Sequence, residues 1–313
     1  MPRVPASFFL IARLRRNGAQ RGTVPLLDLL PQLLVNGIIY GALLAVPAIG
    51  FTAIFAVLRF PNFAVASHAT IGAFAGYAAN VWWGWPAPAA LLAAFVVAGV
   101  IGLISDEIAL KPLRPHGALT TAIASIALVI VLENMVRFGF GNTLRGYDLP
   151  LVRDWRIQGI RINPQQLENM ALAVAIMIAV FVLLKYTRMG KAMRAVADNP
   201  ALADLKGIDA NLVGRIVAFA GMGLVGVGGM LFGLGTSIDP LTGFRFILPI
   251  FAAAVVGGLG SIPGAVLGAM IVGLGEELSV LILSPSYKSA VGFFAIVLVL
   301  IFRPRGLLGE RAY

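Results

Sequence analysis

Groups that titrate, attack or ligate are scarce in this sequence. There is no Cys, which excludes disulfides, cysteine-ligated zinc, iron–sulfur clusters and thiol nucleophiles. The two histidines, His68 and His116, stand far apart, and no HExxH or paired-carboxylate pattern occurs. No Walker-type phosphate loop occurs either: Gly190–Lys191 lacks the upstream glycine and the following Ser or Thr. GGLGSIPG at 257–264 has the glycines of a phosphate loop but no lysine. It sits in an apolar run, where it reads as a helix break or a close-packing site. No catalytic set, metal site or cofactor site is therefore expected on this chain.

What remains is polar groups inside apolar runs, where desolvation is costly and function is the first hypothesis. His68, Asn80 and Glu133 fall in such runs. Arg137 follows Glu133 by four residues, on the same helix face, and reads as a salt-bridge partner. His68 either lines a pathway or donates to a carbonyl. Gly257, Gly258, Gly260, Pro263 and Gly264 form a second candidate, a broken segment beside a pathway or helix interface. Four-residue glycine spacing at Gly37/Gly41 and Gly260/Gly264/Gly268 suits close helix approach. Glu276 and Glu277 are read as interfacial.

The most informative polar segment is RMGKAMRAVADNPALADLKGIDA, 188–210. Asn199 suits an N-cap, Pro200 a first helical position and Gly207 a stop. A helix over 200–206 follows. So short a helix is marginal in water and must dock on something. Ala201, Leu202 and Leu205 offer it an apolar face, with Arg194 just upstream.

Long apolar elements must carry these groups. Of 313 residues 59% are hydrophobic and 12% charged, about half the usual charged share of a soluble domain. The chain reads as an all-α, polytopic integral membrane helix bundle. Eight apolar stretches appear: 27–58, 62–82, 87–110, 117–140, 166–187, 211–236, 244–283 and 285–303. The first and seventh are long for one crossing, at about 20 residues each. Breaks are expected at Pro47 and Gly50, and at 257–264. About eight to ten crossings result.

The basic residues flank the spans and gather in the 111–116 and 185–210 loops. They therefore argue for a cytoplasmic face and against nucleic-acid binding, despite a net charge of +10. Residues 1–26 read as a basic cytoplasmic tail, 27–303 as one membrane domain and 304–313 as a second cytoplasmic tail. Both termini are then cytoplasmic.

Several segments together resemble a known family: LLVNGIIYGAL (33–43), FAVLRFPNFA (55–64), DEIALKPLRPHGAL (106–119), GKAMRAVADNPALADLKGI (190–208), VVGGLGSIPGAVLGA (255–269) and FRPRGLLG (302–309). The chain resembles the permease subunits of bacterial ATP-binding-cassette (ABC) importers for branched-chain amino acids, the LivH-like family. VASHA (65–69), AVPAIGF (45–51) and the glutamate-free ALADLKG (201–207) depart from its usual pattern. The resemblance implies a bacterial inner-membrane pathway subunit and no enzyme. It implies ATP-binding cassette subunits, which carry ATP and Mg, on the 188–210 loop. It also implies a second, paralogous permease subunit and a periplasmic solute-binding protein. The alternative from the residues is an ion-coupled secondary transporter using Glu133 or His68.

Overall fold

In lipid a backbone amide has to be satisfied within its own segment, so long apolar runs become helices. A computed structural model describes residues 26–150, 153–157, 160–284 and 287–309. Its helices are α1 (Leu26–Leu58), α2 (Val65–Tyr77), α3 (Ala87–Ser105), α4 (Ala118–Phe140), α5 (Pro164–Tyr186), α6 (Arg188–Asp198), α7 (Pro200–Leu205), α8 (Ala210–Gly235), α9 (Thr242–Gly257), α10 (Ile262–Leu278) and α11 (Lys288–Phe302). Wide turns extend α2 over Ala78–Trp82 and α3 over Asp106–Leu110. Six helices, α1, α3, α4, α5, α8 and α10, are long and apolar enough to cross a membrane, and α9 and α11 are shorter apolar helices. The chain is an all-α, polytopic membrane helix bundle. One two-stranded antiparallel hairpin, β1 (Trp155–Ile157) with β2 (Ile160–Ile162), lies between α4 and α5.

The core forms where glycines let backbones touch. The helices α1 and α8 run antiparallel: a Cβ on Gly50 would lie 2.4 Å from the Gly221 carbonyl oxygen, and one on Gly228 2.6 Å from Pro47 Cδ. Across α1 and α10, a Cβ on Gly273 would meet Gly41 Cα at 2.6 Å. Between α2 and α8, a Cβ on Gly229 would lie 2.0 Å from the Ala69 carbonyl oxygen. Small residues supply the packing that drives helix association in lipid.

Two sequence expectations meet different outcomes. The 244–283 stretch breaks as expected, into α9 and α10. The 27–58 stretch does not break: α1 is one helix with Pro31 and Pro47 inside it. The reason is packing, since Pro47 and Gly50 both face α8, and membrane helices tolerate proline where neighbours support the backbone. One unbroken α1 places its two ends on opposite faces of the bundle. Near its start, Gln32 exchanges hydrogen bonds with the Arg161 backbone at the hairpin, 2.9 and 2.7 Å. Past its other end, the Arg59 guanidinium donates to the Ala197 carbonyl of α6. The break expected at Pro47 and Gly50 thus adds no second crossing within α1. The 1–25 tail and residues 310–313 lie outside the described residues. Residues 303–309 fold back on the α9–α10 turn, on the α6 face, where Leu307 N–H donates to Val256 O at 2.9 Å.

Candidate functional site

The 188–210 segment folds into a wired platform. The Thr187 hydroxyl caps α6 by accepting from Gly190 N–H at 3.1 Å. Gly190 lies against the end of α5, where a Cβ would be 2.1 Å from the Leu184 carbonyl oxygen. Arg194 donates to that same carbonyl at 2.5 Å. No helix is expected over 188–198 from the sequence, although buried Gly190, Met193 and Val196 show the helical spacing that signals one.

Asn199 then caps α7, its side-chain oxygen accepting from Leu202 N–H at 3.0 Å, with Pro200 in the first turn. Gly207 follows in the left-handed region at φ +81°. Asp204 accepts from Ala210 N–H at 2.9 Å, and Asp209 caps α8. Only Ala203 of α7 is buried. Ala201 is exposed, and Leu202 and Leu205 are 53% and 84% exposed.

Beside the platform, Glu107 binds Lys111 at 3.0 Å and Arg215 of α8 at 2.7 Å. Buried Asp106 pairs with Arg114. Of these three contacts, Glu107–Arg215 ties the end of α3 to the start of α8. The Glu107/Lys111 spacing was the available signal, but the partnership with Arg215 is long-range.

A second region is formed by two interruptions. Residues 59–64 are non-helical, yet they run alongside α4: Phe63 N–H donates to Ser125 Oγ at 3.0 Å, and Ser67 Oγ to Val129 O at 3.1 Å. Helix α2 therefore starts partway along α4, level with its interior. Buried Asn62 accepts from Ala64 N–H at 3.0 Å. The second interruption, between α8 and α9, lies against the first turns of α2, where the Thr70 hydroxyl accepts from Gly243 N–H at the start of α9 at 2.9 Å. Asp239 there pairs with Arg245 and accepts from Thr242. Asn62, Thr70 and Thr242 are not among the residues singled out from the sequence; the Pro61 break within an apolar run is the signal for Asn62.

The expected intramembrane residues occupy separate places. His68 is fully buried, with Nδ1 donating to Ala64 O at 2.7 Å and Nε2 3.4 Å from Ser105 Oγ. Glu133 pairs with Arg137 on half-buried positions of α4. Asn80 pins the loop after α4, donating to Trp85 O at 2.9 Å and accepting from Asp148 N–H at 2.8 Å. In that loop Tyr147 donates to Ala73 O at 2.8 Å, and burial holds its phenol protonated well above the usual range.

The Gly257–Gly264 segment is the turn between α9 and α10. Gly258 and Gly260 take φ +110° and +93°, and Pro263 lies in the first turn of α10. A Cβ on Gly257 would lie 2.0 Å from the Gly264 carbonyl oxygen, whereas Gly260 has open space. Glu276 differs from its interfacial reading: it is 3% exposed, beside Tyr40 and Gly292, and its Oε1 has no hydrogen-bond partner. Glu277 pairs with Lys288 at 2.6 Å.

Residues 33–300 match the family model described as "Branched-chain amino acid transport system / permease component". The chain belongs to that family. It is 32% identical over 295 residues to the high-affinity branched-chain amino acid transport system permease protein LivH of Escherichia coli K12, covering 89% of this chain and 95% of LivH. It is 30% identical over 293 residues to BraD, the permease protein of the corresponding system of Pseudomonas aeruginosa, with the same coverage. The probable LivH of Methanocaldococcus jannaschii is 29% identical over 308 residues, covering 90% and 94% of the two chains. No solved structure matches. The family match runs from α1 into α11 and includes the platform, both interruptions and the α9–α10 turn.

Proposed function

We propose that this permease is one of two membrane-spanning subunits of an ABC importer that carries branched-chain amino acids across the bacterial inner membrane. The observation that carries the reading is α7: a capped helix, braced through Asp204 and Asp209 on α8, that presents Leu202 and Leu205 to the outside. Exposed leucines on a rigid helix form an apolar surface suited to a protein partner. An ATP-binding subunit seated there, holding ATP and Mg, would move α8 through α7 and through the Glu107–Arg215 contact.

The platform face carries Lys111, Arg114, Lys185, Arg188, Lys191 and Lys206, which supports a cytoplasmic assignment. The C-terminal segment shares that face, and the hairpin between α4 and α5 would meet a periplasmic solute-binding protein. A paralogous second permease would complete the membrane part. The interruptions around Asn62, Thr70 and Thr242 support a solute path beside α2 and α9, because non-helical backbone at membrane depth survives only in protein or along a wet cavity. His68 and Glu133 are already held, by Ala64 and Arg137, which weighs against an ion-coupled mechanism.

The test is co-purification of the chain with its ATP-binding subunit, followed by assay in proteoliposomes. Leu202→Asp and Leu205→Asp are expected to abolish solute-stimulated ATP hydrolysis while membrane insertion stays normal. Retained ATPase association and coupling in both variants would remove the assignment.

A further inference from the structure

The platform face holds a cavity of about 400 Å³ that the transport reading does not use. It lies where the end of α1, the end of α5, helix α6 and the α9–α10 turn converge. Its wall is apolar, with Ala56 and Phe181. Its rim is polar, with Lys185, Arg194, Asp198 and Ser261. Among the described residues neither Lys185 nor Arg194 belongs to an ion pair. Arg194 spends one N–H on the Leu184 carbonyl, and Lys185 lies over the Phe181 and Tyr186 rings at 5.7 and 5.4 Å. The Ser261 oxygen accepts from Gly264 N–H, which leaves its proton free to donate outward.

We propose that this cavity binds one anionic phospholipid, its phosphodiester on Lys185, Arg194 and the Ser261 hydroxyl, and an acyl chain along the Ala56–Phe181 wall. Two observations select this occupant. The wall is continuous with α5, of whose most apolar stretch only 11% is buried, so the cavity opens towards the bilayer. The cations stand at the helix ends, at headgroup level, where basic pockets between membrane helices recognise anionic lipid. Asp198 reduces the net charge of the rim to one positive charge. That suits a singly charged phosphodiester whose headgroup hydroxyls donate to the carboxylate, as in phosphatidylglycerol. A lipid seated there joins α1, α6 and the α9–α10 turn, so its occupancy sets how firmly the platform is held. The inference is independent of the solute carried.

Native mass spectrometry of the full chain, released from nanodiscs of defined composition, tests it. Wild type is expected to retain one phosphatidylglycerol and to lose phosphatidylcholine and phosphatidylethanolamine. Arg194→Gln and Lys185→Gln are each expected to lower retention about five-fold. Ala56→Trp, which fills the wall and alters no charge, is expected to displace the lipid. A photoreactive side chain at Phe181 in the otherwise unaltered chain is expected to capture phospholipid, and it supplies the readout if a variant fails to fold. Equal retention in wild type and both charge variants would overturn the proposal. So would equal retention of the zwitterionic lipids, competition by inorganic phosphate that leaves the lipid bound elsewhere, or capture of protein at Phe181.

Discussion

Helices α5 and α8 are alike in length and apolarity and opposite in surroundings. Of the most apolar stretch of α8, 83% is buried, against 11% for α5. The difference tracks glycine. From Gly214 to Gly235, α8 carries eight glycines, and α5 carries none. Lipid tails are as apolar as leucine, so hydrophobicity does not sort membrane helices into centre and rim. Backbone approach does. At Gly226 a Cβ would lie 2.9 Å from the Ala94 carbonyl oxygen and 2.3 Å from Ala98 Cβ, which places α3 directly on α8. Helix α5 touches the bundle along one face, through Asn169, Ala173, Met177 and Val180, and leaves Ile178, Phe181 and Val182 exposed.

The sharpest way to break this contrast is Gly229→Leu. The obstacle is the Ala69 carbonyl, a backbone atom that has no rotamer to escape into. Overpacking costs about 1–3 kcal/mol and sometimes more, and the upper end is expected here. Loss of folded protein, followed by denaturant titration in bicelles, is the measurement. Wild-type stability in this variant would show that α8 is not closely packed on α2.

The α9–α10 turn carries the same contrast within a few residues. Gly264→Leu would drive a Cβ to 2.4 Å from the Gly257 carbonyl oxygen, while Gly260→Leu meets open space and only the strain of φ +93°. Gly264→Leu is expected to lose expression and transport. Gly260→Leu is expected to lose about 1–2 kcal/mol and to keep its assembly. Parallel transport assays normalised to folded protein separate them, and equal loss in both would contradict the packing assignment.

On the platform, outside the lipid, capping replaces packing as the main local term. Asn199→Ala is expected to cost α7 about 1 kcal/mol and to weaken ATPase coupling, with Asn199→Asp restoring it. Coupling unchanged in the alanine variant would make the cap irrelevant. The smallest effect belongs to the open helix. Ala179→Leu, at an exposed position of α5, is expected to shift stability by less than about 0.5 kcal/mol. A large loss in the isolated chain would mean that α5 is enclosed after all.

Much of this was legible in the sequence, for identifiable reasons. Asn199, Pro200 and Gly207 announce α7 because caps are local chemistry. The 257–264 break is likewise local. His68 and Glu133 stand out because polar groups in apolar runs are conspicuous, and the bonds that hold them connect residues four apart. Helix α6 was hidden because its polar face made 188–198 read as loop. Glu276 was hidden because its neighbour Glu277 has a charged partner, Lys288, and sequence proximity made the two look alike.

The sequence alone determined where apolar segments lie, which face is basic, where α7 starts and stops, and the family. Those properties depend on residue types and spacings of a few positions. Only the tertiary structure decided that Pro47 and Gly50 pack against α8 and leave α1 unbroken. It also decided that Thr70 of α2 meets Gly243 at the start of α9, that Glu107 reaches Arg215, and that α8 is central while α5 is peripheral. Each of these is a contact between segments far apart in the chain. In a bilayer such contacts are chosen by steric fit and hydrogen bonding between backbones, because apolarity is the same on every side.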